Sequence, residues 1–273
     1  MGIVQGLSEF LPVSSSAHLV FTSNLYKYFT GILNVVQSNE EVFFDIMVHL
    51  GTLVAVLIFF RKEIMDIIKA LVNSAKTKDF SDKNTKLGLY IILGTFITII
   101  VALPLKDIAE KLVYSPIVVG WLLEGTGIML LLSELIAQKI PAKADEPNLK
   151  SSILIGIAQG IAAFPGFSRS GWTMATGLFS GLDRVTCAKY SFLLSIPIIL
   201  GTSMVYPLFE INAQEALTYN WKAIIVGTII SGIVGYFCIK YFIKFVAKFS
   251  LAFFAFYCII VGGCMSLFFQ IVT

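Results

Sequence analysis

Polar side chains that could carry out chemistry are concentrated in two short segments of an otherwise apolar sequence. The first segment provides Gln5, Glu9, Ser14, Ser15, Ser16 and His18, and the second provides Ser168, Arg169, Ser170 and Thr173. An ionisable group in apolar surroundings is costly unless it is paired or hydrated, so each is a functional candidate. A guanidinium fork beside serines at a helix start predicts a site for a phosphate or another tetrahedral oxyanion.

Spacing within the first segment indicates which groups lie near one another. Gln5 and Glu9 are four residues apart, so a helix would place both on one face. If a helix begins near Ser14, a serine there can cap it. His18, three residues after Ser15, can then approach the Ser15 hydroxyl.

Each of these residues also has a purely structural interpretation. Glu9 and Arg169 can form an ion pair that only clamps the two segments together. The serines at 14–16 can be simple helix caps, and His18 can be a hydrogen-bonded helix residue. A carboxylate, hydroxyls, an imidazole and a guanidinium that converge from two segments fit an anion site better than structural pairing alone.

The composition identifies the class of protein that holds these segments. Of 273 residues, 57% are hydrophobic and 14% are charged, whereas soluble domains are about a quarter charged. The mean hydropathy is +0.85. These values exclude a soluble globular enzyme, a disordered chain and a disulfide scaffold, and long unbroken apolar stretches favour helices over a barrel. We predict an all-α polytopic membrane protein, and no basic, aromatic-rich tract indicates a nucleic-acid partner.

Apolar segments long enough to cross a bilayer core of about 30 Å occur at 43–60, 87–105, 117–137, 186–209, 223–246 and 251–271. Two further apolar regions, 2–30 and 153–182, are interrupted by proline followed by small polar residues, which ends a helix. Irregular backbone at membrane depth persists only inside protein or around a water-filled cavity. We therefore predict that each region is a re-entrant helix-loop-helix hairpin. The first residues lack the basic region of a signal peptide, so insertion is expected to rely on the spans.

The two broken regions are similar in sequence. Gly, Ile, Gln, Gly and Phe recur at identical spacing in 2–10 and 156–164, and the prolines and a serine of the breaks also align. Three spans follow each hairpin, so the two halves, 1–150 and 151–273, must have opposite orientations. We predict a single membrane domain built as an inverted-topology repeat.

Basic residues indicate the orientation, because cytoplasmic loops of membrane proteins are enriched in Lys and Arg. Loop 61–86 carries seven of the 20 basic residues and is placed in the cytoplasm, which by alternation puts 15 of them inside. The inside set includes loop 138–151 with Lys143, whereas the outside set is Lys27, Lys106, Lys111 and Lys222. This distribution predicts that both termini lie outside and that the hairpins enter from opposite faces, so their tips meet in mid-membrane.

Two motifs resemble the signature motifs of undecaprenyl-diphosphatases, the bacitracin-resistance proteins. The first is Gln5-xxx-Glu9 followed by Phe-Leu-Pro-Val-Ser-Ser-Ser-Ala-His18, and the second is Pro165-Gly-Phe-Ser-Arg-Ser-Gly-Trp-Thr173. The resemblance covers essentially the whole chain, including Phe44-Asp45 through Leu50-Gly51 and Phe192-Leu-Leu-Ser-Ile-Pro197.

The resemblance implies hydrolysis of undecaprenyl diphosphate to the monophosphate, which recycles the lipid carrier for cell-wall synthesis and confers bacitracin resistance. It implies a multi-pass enzyme of the bacterial plasma membrane that uses a divalent cation, Mg²⁺ or Ca²⁺. We expect the active site to open to the outer face, from which the diphosphate would enter. Active-site roles fall on Glu9, Ser15, His18 and Arg169, and phosphate contacts on Ser14, Ser16, Ser168, Ser170 and Thr173. Glu9, with Gln5, is the expected metal ligand.

Two features depart from the family's pattern. The first position of the acidic motif is often Glu in the family but is Gln5 here, which removes one metal-binding charge and leaves open which groups hold the cation. The chain also begins almost at the motif, so the first half of the first hairpin is expected to be short.

Alternatives remain for both chemistry and function. Ser15 is the preferred nucleophile, with His18 as base or acid, but attack by water or by His18 itself is also compatible with the sequence. The rival function is a transporter or flippase of a polyprenyl phosphate or another anion, because inverted repeats with broken helices are also a transporter design. Membrane lipid and a polyprenyl diphosphate are the expected partners, and a homodimer is among the assemblies that the sequence allows.

Further polar residues within the spans receive less specific predictions. Asp45 and His49, four residues apart, either support the site or form a structural pair. Glu124 and Glu134 are expected to face the bundle interior or an interface. The four cysteines lie in or beside apolar runs without a CxxC pair, so they are expected to pack rather than to bind metal.

Overall fold

The computed structural model describes residues 1–31, 38–139, 144–210 and 216–272. Lys143, one of the basic residues used to orient the chain, lies outside the described residues. The described residues form helices α1 (Gly2–Ser8), α2 (Ser15–Thr30), α3 (Asn39–Phe59), α4 (Arg61–Thr77), α5 (Lys83–Ala102), α6 (Lys106–Leu112), α7 (Pro116–Lys139), α8 (Leu149–Ile161), α9 (Arg169–Phe179), α10 (Arg184–Glu210), α11 (Trp221–Val246) and α12 (Ala252–Val272). A 3₁₀ turn, Leu103–Leu105, joins α5 to α6.

The predicted membrane spans are confirmed. In the described part of the chain, six helices are long and apolar enough to cross a membrane, and each overlaps one predicted span. These helices are α3, α5 with its extension through α6, α7, the first 22 residues of α10, α11 and α12. The chain is therefore a multi-pass, all-helical membrane protein, and no β-strand occurs among the residues described.

The two broken regions form pairs of shorter helices. In the first pair, α1 has 7 residues and α2 has 16. In the second pair, α8 has 13 residues and α9 has 11. Both breaks fall where the prolines and serines predicted them, because proline cannot continue a helix and serine caps the next one.

Each broken pair is held by a long helix from the other half of the chain. Helix α1 packs against α11, and α8 packs against α5. Gly6 and Gly160, which occupy matching positions in the two similar segments, lie at these contacts. A Cβ at Gly6 would lie 2.7 Å from the Ser231 carbonyl oxygen, and a Cβ at Gly160 would lie 2.5 Å from the Val101 Cβ. Small residues let the helices approach closely where no hydrophobic force drives them together in lipid.

Part of the predicted cytoplasmic loop 61–86 is helical. Residues 61–77 form α4, which is separated from α3 by Phe60 alone and packs on α5. Ile67 and Leu71 of α4 lie against Gly88, where a Cβ would be 2.8 Å from atoms of both side chains. The apolar residues of this segment recur at helical spacing between charged residues, which is typical of an amphipathic helix at a surface.

A buried ion pair joins three parts of the bundle near the start of α10. The carboxylate of Glu134 on α7 is 1% exposed and accepts two hydrogen bonds from Arg184, at 2.8 Å from Nε and 2.6 Å from Nη2. The backbone N–H of Leu251 donates to the same carboxylate at 2.7 Å. The prediction that Glu134 faces the interior is confirmed, because its charge is compensated on α10 and at the start of α12.

Candidate active site

The first break places a strained residue directly before α2. Helix α1 ends at Ser8, and Ser14 caps α2 by accepting a hydrogen bond from the Ala17 N–H at 3.2 Å. Ser14 has φ 65°, a conformation that residues other than glycine rarely adopt and that costs about 1–3 kcal/mol. Such strain persists only where the surroundings enforce it, and it is common at functional sites.

The second break is held by a glycine and by a hydroxyl from α7. Gly166 has φ +105°, and a Cβ there would lie 2.4 Å from the Val119 carbonyl oxygen. Ser168 caps α9 by accepting from the Gly171 N–H at 3.1 Å. The Ser168 N–H donates to Thr126 Oγ1 at 3.0 Å. Arg169 therefore begins α9 from a fixed backbone position.

The two breaks contact each other directly. Ser170 Oγ donates to the Leu11 carbonyl at 2.9 Å, and the Gly166 N–H donates to Ser16 Oγ at 3.4 Å. Ser14 Oγ donates to the Phe167 carbonyl, also at 3.4 Å. Residues that are about 150 positions apart in the sequence thus form one polar cluster within an apolar bundle.

Glu9 lies at the centre of this cluster. Its Oε1 pairs with Arg169 Nη2, and its Oε2 accepts hydrogen bonds from Ser15 Oγ at 2.7 Å and from Gln5 Nε2 at 2.9 Å. The Glu9 side chain is 5% exposed, so the pair with Arg169 forms away from water, where Coulombic attraction is strong. The prediction that Gln5 and Glu9 share a helix face is confirmed, and the ion pair that we weighed as an alternative is present.

His49 reaches the same carboxylate from α3. Its Nε2 lies 3.5 Å from Glu9 Oε2, and its Nδ1 lies 2.6 Å from the backbone carbonyl of Asp45. Of the two interpretations given to His49, the structure supports the one that places it beside the site. The sequence signal was its spacing from Asp45, whereas the contact that matters is with Glu9 on another helix.

His18 has other partners than Ser15 in this structure. Its Nδ1 lies 2.8 Å from the Ser14 carbonyl, and its Nε2 lies 2.7 Å from the hydroxyl of Tyr257 on α12. The Ser15 hydroxyl donates to Glu9 instead. The predicted approach of His18 to Ser15 is therefore not observed, because the first turn of α2 points the two side chains to different neighbours. Nothing in the sequence singled out Tyr257, which follows His18 by 239 residues.

The remaining predicted phosphate contacts lie at the start of α9. Ser168 Oγ and Ser170 Oγ are 3.2 Å apart. Thr173 is 1% exposed, donates to the Arg169 carbonyl at 2.8 Å and contacts Ser191 Oγ at 2.7 Å. Thr173 thus lies behind Arg169 and supports its backbone, and a phosphate contact for Thr173 stays a prediction.

Two buried polar atoms of the site have no hydrogen-bond partner among the described residues. They are Arg169 Nη1 and Gln5 Oε1. An unpaired buried donor or acceptor costs about 1–3 kcal/mol, so these atoms are suited to a ligand that is bound during function. The Arg169 nitrogen suits an anion, and the amide oxygen suits a hard cation. Within the described ranges, no three His, Cys, Asp or Glu side chains form a metal centre by themselves.

Comparison with known proteins identifies relatives along nearly the whole chain. The family described as bacitracin resistance protein BacA matches residues 1–264. An undecaprenyl-diphosphatase 2 of Stutzerimonas stutzeri is 38% identical, with coverage of 99% of this chain and 96% of the relative. The undecaprenyl-diphosphatase of Rubrobacter xylanophilus is 38% identical over 94% of this chain and 92% of its own length. The undecaprenyl-diphosphatase of Methanosphaera stadtmanae is 37% identical over 96% of this chain and 93% of its own length.

Proposed function

Because the chain belongs to the bacitracin resistance protein BacA family, we propose that it is a membrane phosphatase that hydrolyses undecaprenyl diphosphate to undecaprenyl phosphate and inorganic phosphate. The observation that carries this proposal is the buried pair of Glu9 and Arg169, with the Ser15 hydroxyl on the carboxylate and an unpaired guanidinium nitrogen. The named relatives favour a diphosphatase over a transporter or flippase. A carrier would need the anion site but not the serine and carboxylate beside it.

Arg169 and the start of α9 bind the diphosphate. The free Nη1 of Arg169 and the N-terminal end of α9, which is the positive end of its helix dipole, both favour negative charge. These donors neutralise charge on the phosphoryl oxygens in the transition state, which is the main requirement in phosphoryl transfer. The apolar tail of the substrate stays in the lipid, next to the apolar outer faces of the helices.

Ser15 is the nucleophile of the proposed reaction. Its oxygen forms a bond to the terminal phosphorus, its proton passes to Glu9 Oε2, and the bond from phosphorus to the bridging oxygen breaks. Undecaprenyl phosphate leaves, and water then hydrolyses the phosphoserine to release inorganic phosphate. His18 acts at the water or at the leaving group. Glu9 takes the role that the spacing had suggested for His18, because Glu9 is the group that holds the Ser15 hydroxyl.

A divalent cation, Mg²⁺ or Ca²⁺, would need oxygen ligands from the substrate in addition to those that the protein provides. Gln5 Oε1 and the Glu9 carboxylate provide two oxygen donors, and Mg²⁺ is commonly held by one or two carboxylates plus phosphate oxygens and water. When bound, such an ion would neutralise phosphate charge alongside Arg169. The neutral amide of Gln5 lowers the charge of the site, so weak binding in the absence of substrate is expected.

Release of inorganic phosphate from undecaprenyl diphosphate by the purified protein in detergent tests the function. Wild-type protein is expected to release phosphate, and EDTA is expected to suppress release until excess Mg²⁺ or Ca²⁺ is added. Ser15→Ala is expected to lower turnover by about 10²-fold or more, and Arg169→Ala is expected to abolish it. Ser180→Ala, which removes a hydroxyl bonded to the Thr176 carbonyl at the far end of α9, is the matched control.

The outcomes separate the parts of the proposal. Folded wild-type protein that releases no phosphate with excess cation would contradict the phosphatase. Near-normal turnover by Ser15→Ala would leave the phosphatase but rule out the serine nucleophile in favour of direct attack by water or His18.

We also propose the inverted-repeat topology, with halves 1–150 and 151–273 and one re-entrant hairpin from each membrane face. Two helix contacts support it: α1 of the first half packs on α11 of the second half, and α8 of the second half packs on α5 of the first half. A two-fold relation between the halves produces such reciprocal contacts. The termini and the site then face outward from the plasma membrane. In a Cys264→Ser background, which removes the exposed native thiol, a membrane-impermeant maleimide should label Lys222→Cys but not Lys78→Cys in intact cells, and the reverse would invert the topology.

A further inference from the structure

His18 and Tyr257 are joined by two kinds of contact. The hydroxyl of Tyr257 lies 2.7 Å from His18 Nε2. The two rings are also nearly parallel, at 7°, with centroids 5.7 Å apart. The pair belongs to an aromatic seam between α2 and α12 that continues in two further ring contacts, Phe21 with Phe269 and Tyr28 with Phe268. Packing along the seam therefore fixes where the Tyr257 hydroxyl lies.

The partners of His18 determine which of its nitrogens carries a proton. The Ser14 carbonyl oxygen can only accept, so Nδ1, 2.8 Å away, is the donor. In the neutral ring Nε2 then carries the lone pair and accepts a hydrogen bond from the Tyr257 hydroxyl. A tyrosine hydroxyl can also accept, so the contact can persist after Nε2 gains a proton.

We propose that Tyr257 is a positioning residue for His18, which keeps Nε2 as the proton-accepting atom and holds it apart from Ser15. The proposal rests on the proposed function, because it assigns to this nitrogen the proton transfer that follows the departure of undecaprenyl phosphate. The two proton transfers are thereby assigned to different groups. Glu9 accepts the Ser15 proton in the first step, and His18 Nε2, which Tyr257 orients, accepts a proton in the second. The single lone pair of neutral Nε2 faces the Tyr257 hydroxyl, so the proton that Nε2 gains is the hydroxyl proton, and the Tyr257 oxygen takes a proton from the attacking water in its place.

The state of His18 can be read by ¹⁵N NMR independently of any activity. The chain has only 2 histidines, so protein labelled with ¹⁵N-histidine gives two imidazole spin systems, and His18→Gln identifies the one to follow. At about pH 8, above the ordinary histidine range, wild-type His18 is expected to show a protonated Nδ1 and an unprotonated, hydrogen-bonded Nε2. Tyr257→Phe, which keeps the ring but removes the hydroxyl, should move the Nε2 signal toward that of a nitrogen without a hydrogen bond.

Kinetics supply the second readout. Tyr257→Phe is expected to lower kcat about fivefold, the size of one lost hydrogen bond, with KM within about twofold of wild type. Tyr257→Leu loses the parallel ring as well and should lower kcat further. Tyr241→Phe, on an exposed face of α11 with 60% of the residue accessible, is the matched control and should leave kcat and the His18 signals unchanged.

Three results would overturn the proposal: a wild-type His18 protonated at Nε2, a Tyr257→Phe spectrum with an unmoved Nε2 signal, or unchanged kcat in both Tyr257 variants. A change in KM alone would indicate that Tyr257 binds substrate rather than orients His18, which also contradicts it. Failure of wild-type protein to release phosphate would instead contradict the proposed function, and the NMR readout would still decide whether Tyr257 orients His18.

Discussion

Removing one charge of the Glu9–Arg169 pair should cost much more stability than removing both. In Arg169→Met the Glu9 carboxylate stays 5% exposed and keeps Ser15 and Gln5 as hydrogen-bond donors, with His49 Nε2 3.5 Å away. Breaking a buried pair costs about 3–5 kcal/mol, and the two remaining donors place this variant near the lower end, at about 3 kcal/mol. Glu9→Gln leaves an uncompensated guanidinium on a side chain that is 18% exposed, with a buried Nη1 that already has no partner among the described residues, so a similar loss is expected.

The double variant should reveal the coupling between the two charges. Glu9→Gln with Arg169→Met leaves neither charge buried, so its loss should be about 1 kcal/mol or less, whereas independent sites would lose about 6 kcal/mol. The exposed pair Lys106–Glu110, with nitrogen and oxygen 3.6 Å apart, is the control. A double-mutant cycle on this pair, with Lys106→Met and Glu110→Gln, should give a coupling free energy of about 0.5 kcal/mol or less.

The cysteines of the chain provide the assay for unfolding. Cys187, Cys238 and Cys258 are free and buried, whereas Cys264 is exposed. In a Cys264→Ser background, a thiol-reactive dye should label the protein only as it unfolds during a denaturant titration in detergent. Losses that simply add, as at Lys106–Glu110, would refute the conclusion that Glu9 and Arg169 form a desolvated pair.

Two further predictions concern the helix contacts that hold the site. Arg184→Ala should destabilise the protein by about 3–5 kcal/mol, because it leaves the Glu134 carboxylate buried without its cation, while phosphate release per folded molecule stays near wild type. Gly160→Val should cost up to about 3 kcal/mol in the same titration, since its Cβ would overlap Val101. Gly201→Val, with no other atom within 4 Å of the added Cβ, should cost little, and equal losses would contradict the close approach of α8 and α5.

The spans and the breaks could be predicted from the sequence because both depend on local composition. A run of about 20 apolar residues selects a spanning helix by itself. A proline followed by serines ends one helix and caps the next, as Ser14 and Ser168 do here. The inverted-repeat interpretation and the loop charges predicted that the tips of the two breaks meet, and the hydrogen bond from Ser170 to Leu11 joins them.

Contacts between distant helices could not be predicted in the same way. Spacing favoured His18 as the partner of Ser15, but the side chain of His18 leaves the first turn of α2 toward Tyr257. Either His18 or Glu9 could accept the hydrogen bond of the Ser15 hydroxyl. The choice depends on side-chain directions, which are set by packing and not by separation in sequence. Helix α4 lies in a segment that we predicted as a loop because of its basic residues, although Ile67 and Leu71, four residues apart, have the spacing of an apolar helix face.

The contact of α1 with α11 has a consequence for how the protein is made. The Cys238 thiol on α11 donates to the carbonyl of Leu7 on α1, 231 residues earlier in the sequence. Tyr257, the partner of His18, is synthesised later still, 239 residues after His18. During synthesis the first broken pair therefore enters the membrane long before its supports exist, with Glu9 still lacking Arg169. Arrest of translation between α10 and α11 should leave this pair sensitive to protease, and protection should arise only once the last two helices have been inserted.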